Sequence, residues 1–244
     1  MKFATAICLV LLAASAGAVA REHTGELVVA VDTGTEMPMA KVVGGQLVAG
    51  LHKELGLALA QAMQRSPRFL VLPRKRLAYA LERGDADLLC FYVPEWFPGA
   101  FDWSTPFLPF AEVIVTKRSA AQPASLADLA GQHIGTVLGY RHPEIEEVLG
   151  RAFVREDGPS VDINMRKLAA GRLNHAVTSS YYAAYRERLH DLPVALHPPL
   201  VVKQMRLQCA VSRHGRISVA QLDRAIAQLA HEGSIARILG PVQQ

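Results

Sequence analysis

The sequence predicts an α/β fold divided into two lobes. Between Glu26 and Phe91, short apolar runs alternate with stretches of helical spacing, the order that gives parallel βαβ units. A polar, small-residue connector, Ser119 to Ala124, separates this half from a second, smaller alternation of strands and helices. Residues 84–118 set an aromatic, proline-broken wall, Tyr92 to Phe110, between two apolar strands, Asp87–Phe91 and Ala111–Thr116. Ligand clefts favour apolar linings at strand ends and domain junctions, so the wall predicts a cleft between the lobes.

The elements follow in order. Glu26 to Val31 is a buried strand, and the loop Asp32 to Gly45 leaves it where a strand-end ligand loop would. Leu47, Leu51, Leu55, Leu59 and Met63 have helical spacing, predicting a helix over 46–65 with Ser66-Pro67 as its stop. Phe69 to Leu72 is a second strand, Arg74 to Glu82 a helix closed at Gly84, and Asp87 to Phe91 the third strand. Beyond the connector, Ser125 to Asp128 has the spacing of a capping box, and His133 to Leu138 is a strand. A turn through Arg141 leads to a helix at Pro143, a favoured first position, with Glu144, Glu146 and Glu147 complementing its dipole. Phe153–Arg155 is a weak strand, Val161–Ala170 a helix and Leu173–Thr178 a strand, after which Ser179-Ser180 caps a helix to about Leu189. Val194–Leu196 and Met205–Val211 read as strands, the latter crossing back to the first lobe. Ser218 to Leu239 is helical with a break at Gly233. The lobe assignment is therefore 21–117 with 209–244, and 118–208.

Composition narrows the class. The first 20 residues combine Lys2, an apolar run from Phe3 to Ala16 and Ala18-Val19-Ala20, the pattern of a cleaved secretory signal peptide. Cleavage after Ala20 removes Lys2 and lowers the formal net charge from +4 to +3. No second run of about 18 apolar residues follows, so a soluble exported product is expected. The Arg74-Lys75-Arg76 cluster reads as a solvated helix start, and no nucleic-acid partner is expected. The histidines, among them His52, His133, His142 and His175, form no close pair at ligand spacing, and HExxH, CxxC and GxSxG are absent. No metal or other cofactor is expected. Cys90 and Cys209 both lie in strand-like runs. Export permits a bridge between them, but a buried thiol pair is equally natural.

Six segments in this order resemble the bacterial extracellular solute-binding proteins of family 3, the type II periplasmic binding proteins of polar amino acid uptake. They are ELVVAVDTG, VAGLHKELGLALAQAM, LAYALERGDADLL, FDWSTPFLPFAEVIVTKR, SLADLAGQHIGTVLGY and QLDRAIAQLAHEGSIARIL. The resemblance spans Glu26 to Leu239 and implies two α/β lobes, two hinge-crossing strands and a ligand cleft between them. It departs from the family at the ligand clamp. The stretch that would carry the carboxylate-gripping arginine is Val93-Pro94-Glu95-Trp96-Phe97-Pro98, without an arginine. The position of the amino-binding carboxylate matches Ser179, and Met37-Pro38-Met39 replaces the aromatic of the first loop. Without both ends of that clamp a zwitterion would be desolvated uncompensated, so an ordinary α-amino acid is not the expected ligand.

The ligand-binding candidates are Tyr92, Trp96 and Trp103 from the first lobe and Arg141 and Ser179 from the second. The aromatics can stack on or cover a ligand. Arg141 precedes a helix start and can receive an anion, or simply pair with Glu144 or Glu146. Ser179 can donate to a ligand, or only cap its helix. Phe91 and Phe97 belong to the same wall, while Glu36 and Glu95 can hold a cationic group or stay solvated loop charges, and Arg74 and Arg76 can point at the cleft rim or into solvent. The expected protein is a monomeric periplasmic solute-binding protein that closes on a small molecule and presents it to a membrane transporter or sensor. It is not expected to be an enzyme. The alternatives are a ligand-free sensory accessory, or an enzyme of the same fold resembling cyclohexadienyl dehydratases.

Overall fold

A computed structural model describes residues 25–243, so the expected signal segment, residues 1–20, lies outside the described residues. Strand β1 (Glu26–Asp32) is buried along almost its whole length. It pairs in parallel with β4 (Ser66–Leu72) on one side and with β5 (Leu88–Tyr92) on the other. Helices α1 (Leu51–Ala62) and α2 (Arg74–Glu82) are the crossovers. Between β1 and α1 stands a small hairpin, β2 (Lys41–Val43) and β3 (Gln46–Ala49). The helix predicted over 46–65 is thus cut to Leu51–Ala62. Gly44 and Gly45 both take positive φ, 58° and 77°, and turn the chain back on itself. Ser66-Pro67 begins β4 instead of merely ending a helix. Proline is tolerated there because β4 is the outer strand of its sheet.

Two long strands carry the chain between the sheets. β7 (Leu108–Thr116) and β11 (Leu200–Val211) lie side by side, antiparallel, from Leu108 opposite Leu207 to Ile114 opposite Leu200. Past that stretch β11 continues into the first sheet, pairing with β5 and with the two-residue strand β6 (Asp102–Trp103). β7 instead pairs with β10 (His175–Ser179), which lies parallel to β8 (His133–Val137), itself parallel to β9 (Val154–Gly158). The predicted strand at Met205–Val211 proves to start at Leu200. Val194–Leu196 forms only an isolated bridge, Leu196 to Lys117.

Helices α3 (Pro143–Leu149), α4 (Val161–Ala169) and α5 (Ser180–Leu189) cover the second sheet. The C-terminal pair, α6 (Val219–His231) and α7 (Ser234–Gln243), breaks at Gly233 as the pattern predicts. α7 packs on α1 and also on α5, so a helix of the second sheet is held against the core of the first. Tyr181 on α5 belongs to that core and donates its hydroxyl to the Pro109 carbonyl on β7.

Cys90 on β5 and Cys209 on β11 stand opposite each other and are disulfide-bonded, which settles the alternative left open by the sequence. Beside this bridge β5 carries a bulge. Cys209 pairs with Cys90 and Gln208 with Tyr92, so Phe91 is the extra residue, and its φ is +68°. Cys90 and Phe91 therefore both face the core under α1, where strict alternation would separate them.

Candidate functional site

The cleft lies where β5, β8 and β10 end and β7 and β11 pass between the sheets. It is a cavity of about 290 Å³ with walls from both lobes. The first lobe contributes the loop Gly34–Met39, His52, Arg74, Phe91, Tyr92 and Trp96, the second contributes Tyr140, Arg141, His142, Thr178 and Ser179 among others, and Glu112 stands on β7 between them.

Four of the five predicted ligand residues line this cavity: Tyr92, Trp96, Arg141 and Ser179. Trp103 does not. It stands on the short strand β6, and its ring packs edge-on against Phe101 in the cluster behind the wall. Phe97 belongs to the same cluster, stacked on Phe101. Part of the aromatic run is therefore core, because the turn at Pro94–Trp96 swings the chain away from the cleft. Arg141 is 73% exposed, with Glu146 at 4.0 Å. The helix it precedes spans only seven residues, and the His142 amide points to the Glu146 carboxylate at 3.5 Å, so the surface-pair arrangement describes this arginine better than an anion site at a helix start. The Ser179 hydroxyl accepts the Tyr182 amide as the cap of α5.

Two features of the walls were not singled out from the sequence. Arg74, which the sequence left between the cleft rim and solvent, is a cleft residue at the start of α2. It donates to the Tyr92 hydroxyl at 3.0 Å and to the Trp96 carbonyl at 3.3 Å, with the Asp32 carboxylate at 3.8 Å. Its guanidinium lies 5.3 Å from the Tyr92 ring centre and 5.0 Å from that of Tyr140, so it sits between one aromatic from each lobe. Burial pushes the Tyr92 and Tyr140 phenols above their usual range, so both stay neutral near neutrality. Glu36, which the sequence left between holding a cationic group and a solvated loop charge, reaches across the cleft and accepts the Asp162 amide of α4 at 3.2 Å. It supplements the Ser160 cap from the opposite lobe.

The second feature is a buried pair. His142 Nδ1 lies 2.7 Å from Glu112 Oε1, and both side chains are at least nine-tenths buried. His142 Nε2 has no partner among the described residues, nor does His52 Nδ1 or Thr178 Oγ1, and all three residues line the cavity. Buried polar atoms are ordinarily satisfied, so three unpaired atoms around one cavity mark a place for a ligand or ordered water. Glu112 and His142 are 30 residues apart in sequence, which hides them from any spacing rule. Among the described residues no acidic, histidine and cysteine side chains cluster as a metal site.

No family model matches the sequence, and no curated protein matches it. The fold has many solved counterparts. An ancestral arginine-binding protein bound to arginine is similar with a TM-score of 0.72 and 19% identity, over 91% of this chain and 100% of that one. The ancestral amino acid-binding protein AncCDT-1, a precursor of cyclohexadienyl dehydratase, matches with a TM-score of 0.72 and 18% identity, over 90% of this chain and 96% of that one. An amino acid ABC transporter substrate-binding protein from Streptococcus pneumoniae, bound to L-arginine, matches with a TM-score of 0.68 and 19% identity, over 92% and 99%. The fold is that of the two-lobed periplasmic binding proteins, the fold the sequence resemblance implies.

Proposed function

We propose that this chain is a periplasmic solute-binding protein that captures a small molecule between its lobes and delivers it to a membrane transporter or sensor. One observation carries the reading. A cavity of about 290 Å³ is walled by both lobes at the two strands that join them, and three polar atoms around it lack partners. Closure is driven only by contacts that differ between open and closed forms, so a ligand touching both walls is what such a hinge needs. The lobes we assign are 21–117 with 209–244, and 118–208, with β7 and β11 as the shared hinge strands. The binding residues we assign are Tyr92, Trp96, Arg141 and Ser179. The amino acids held by the similar solved proteins are not the ligand we assign, because no arginine in the wall segment and no carboxylate at Ser179 form the usual zwitterion clamp. Export by the N-terminal segment and action as a monomer complete the proposal. Among the described residues no helix is long and apolar enough to cross a membrane.

Native mass spectrometry of gently purified protein, followed by a thermal-shift screen of amino acids, aromatic acids, polyamines and sugars, tests this. A ligand at about a hundredfold over its dissociation constant adds about 2.7 kcal/mol, a shift of several degrees for a chain this size. No mass adduct and no shift across the panel would overturn the reading. A second reading, an enzyme of the same fold, has one observation in its favour. An imidazole oriented by Glu112 with its other nitrogen free is suited to proton transfer. Consumption of a cyclic acid in the same assays would select it.

A further inference from the structure

The acidic groups of the cleft already have partners. Asp32 accepts the Gly34 amide at 2.9 Å and faces Arg74, Glu36 accepts the Asp162 amide, and Glu112 holds His142. The hydroxyl oxygens of Ser160 and Ser179 accept the amides of Ile163 and Tyr182. The groups still able to donate are of the opposite kind. Arg74 has five N–H donors and gives one to Tyr92 and one to Trp96. His142 Nε2 and Thr178 Oγ1 have no partner among the described residues. The site therefore offers donors from both lobes and no unengaged carboxylate to hold an ammonium group.

Resting on the solute-binding reading, we infer that the cleft takes a carboxylic acid with a flat, ring-bearing body and no ammonium group. Its carboxylate is received by His142 Nε2 and the Arg74 guanidinium. Glu112 is the positioning residue. With a proton on each ring nitrogen, His142 donates to Glu112 through Nδ1 and to the carboxylate through Nε2, so two buried negative groups share one imidazolium. The ring body meets Phe91, Trp96 and Phe110, the apolar part of the wall. A cavity of about 290 Å³ sits at the lower end of the roughly 300–1,000 Å³ typical of ligand pockets. That size suits a single ring with a short acid arm.

The test uses matched probes on the wild-type protein, read by thermal shift and isothermal calorimetry. They are benzoate and phenylpyruvate as acids, benzamide as the neutral isostere, benzylamine as the cation and phenylalanine as the zwitterion. The expected result is that the acids stabilise the protein and the other three do not at equal concentration. Arg74→Gln, at a partly exposed position, should lower affinity for the better acid about tenfold to a hundredfold, the effect of losing a hydrogen bond to a charged group. His142→Gln should do the same. If the buried histidine variant does not fold, Arg74→Gln alone decides the placement. Binding of benzylamine, benzamide or phenylalanine as tight as that of the acids overturns the inference and leaves a solute-binding protein. Unchanged acid affinity in Arg74→Gln overturns the residue assignment. Silence from all five probes, with hits only among sugars or polyamines, overturns the acid class alone, whereas silence across the whole panel overturns the solute-binding reading with it.

Discussion

Acid should loosen this fold through His52, and the size of the effect follows from its burial. The ring packs against Phe91 at 4.7 Å between centroids, its Nδ1 has no partner among the described residues, and it is 4% exposed. Burial lowers its pKa from the ordinary 6.5 to about 4. The unfolded chain therefore takes up a proton near pH 6.5, while the folded chain resists doing so until about pH 4. Within that window the unfolded state binds more protons, so stability rises with pH and is lost as pH falls. Each pH unit inside the window is worth about 1.4 kcal/mol, so moving from pH 7 to pH 5 costs about 2 kcal/mol from this imidazole alone. That corresponds to a drop of about 4–8 °C in melting temperature for a chain of this length. His52→Leu keeps an apolar side chain against Phe91 and removes the titration. Urea melts of both proteins at pH 7 and pH 5 isolate the term, because His175, which burial also shifts downward, and every other titrating group contribute equally to both. The expected result is a pH-dependent loss about 2 kcal/mol smaller in the variant. An equal loss in the two proteins would refute the reasoning.

Other parts of the structure make further predictions. Reducing Cys90–Cys209 opens a covalent loop closed across 119 positions. It should cost about 3–5 kcal/mol, read as a fall of roughly 10 °C in a melt with reductant, and an unchanged melt would show that the cysteines are not bridged. Trp96→Ala should weaken ligand binding by about 2 kcal/mol or more, whereas Trp103→Phe should leave affinity unchanged, since only Trp96 lines the cavity. Calorimetry on the two variants decides it, and equal losses would contradict the geometry. Glu36→Ala removes a carboxylate that caps α4 from the opposite lobe. Losing a cap costs about 0.5–2 kcal/mol, which shifts the balance toward the open form about two- to thirtyfold. Small-angle scattering should then show a larger radius of gyration, and an unchanged one would mean the contact does not bear on closure.

The helices and strands were legible where a local pattern had one solution. α2, α4 and the α6–α7 break fall where capping residues and apolar spacing put them. Leu47 shows the limit, because it fits a four-residue period with Leu51 and Leu55, yet belongs to a hairpin strand and packs with Val31 and Ala40, apart from the cluster that holds those two leucines. The early start of β11 was hidden behind Pro198-Pro199, which reads as a loop but ends where a twelve-residue strand begins. At the site, the aromatic run pointed to the cleft, but alternation could not sort Tyr92 and Trp96 from Phe97 and Trp103. Arg74 and Glu36 look like surface charges in sequence, and become cleft residues only because β5 and α4 bring Tyr92 and the Asp162 amide to them. The Glu112–His142 pair needed the fold outright, since one residue sits on a hinge strand and the other at the start of a short helix.

The bulge at Phe91 gives β5 an odd residue, inserted without disturbing the frame of the strand on either side. A bulky side chain at φ +68° costs roughly 1–2 kcal/mol in the left-handed region, a cost this chain bears just before the cavity wall. Removing that single residue would relieve the strain and leave the faces of its neighbours unchanged, because Cys90 and Tyr92 already pair with the adjacent Cys209 and Gln208. Tyr92 would still face Arg74 and Val93 the core under α1, with the disulfide in place, and what would be lost is the Phe91 ring against His52 and the cavity. Deleting Phe91 is therefore not a shift of register. It subtracts one ring from the cleft, and related chains that lack the bulge should keep the disulfide and the Tyr92–Arg74 contact with a smaller wall beside His52.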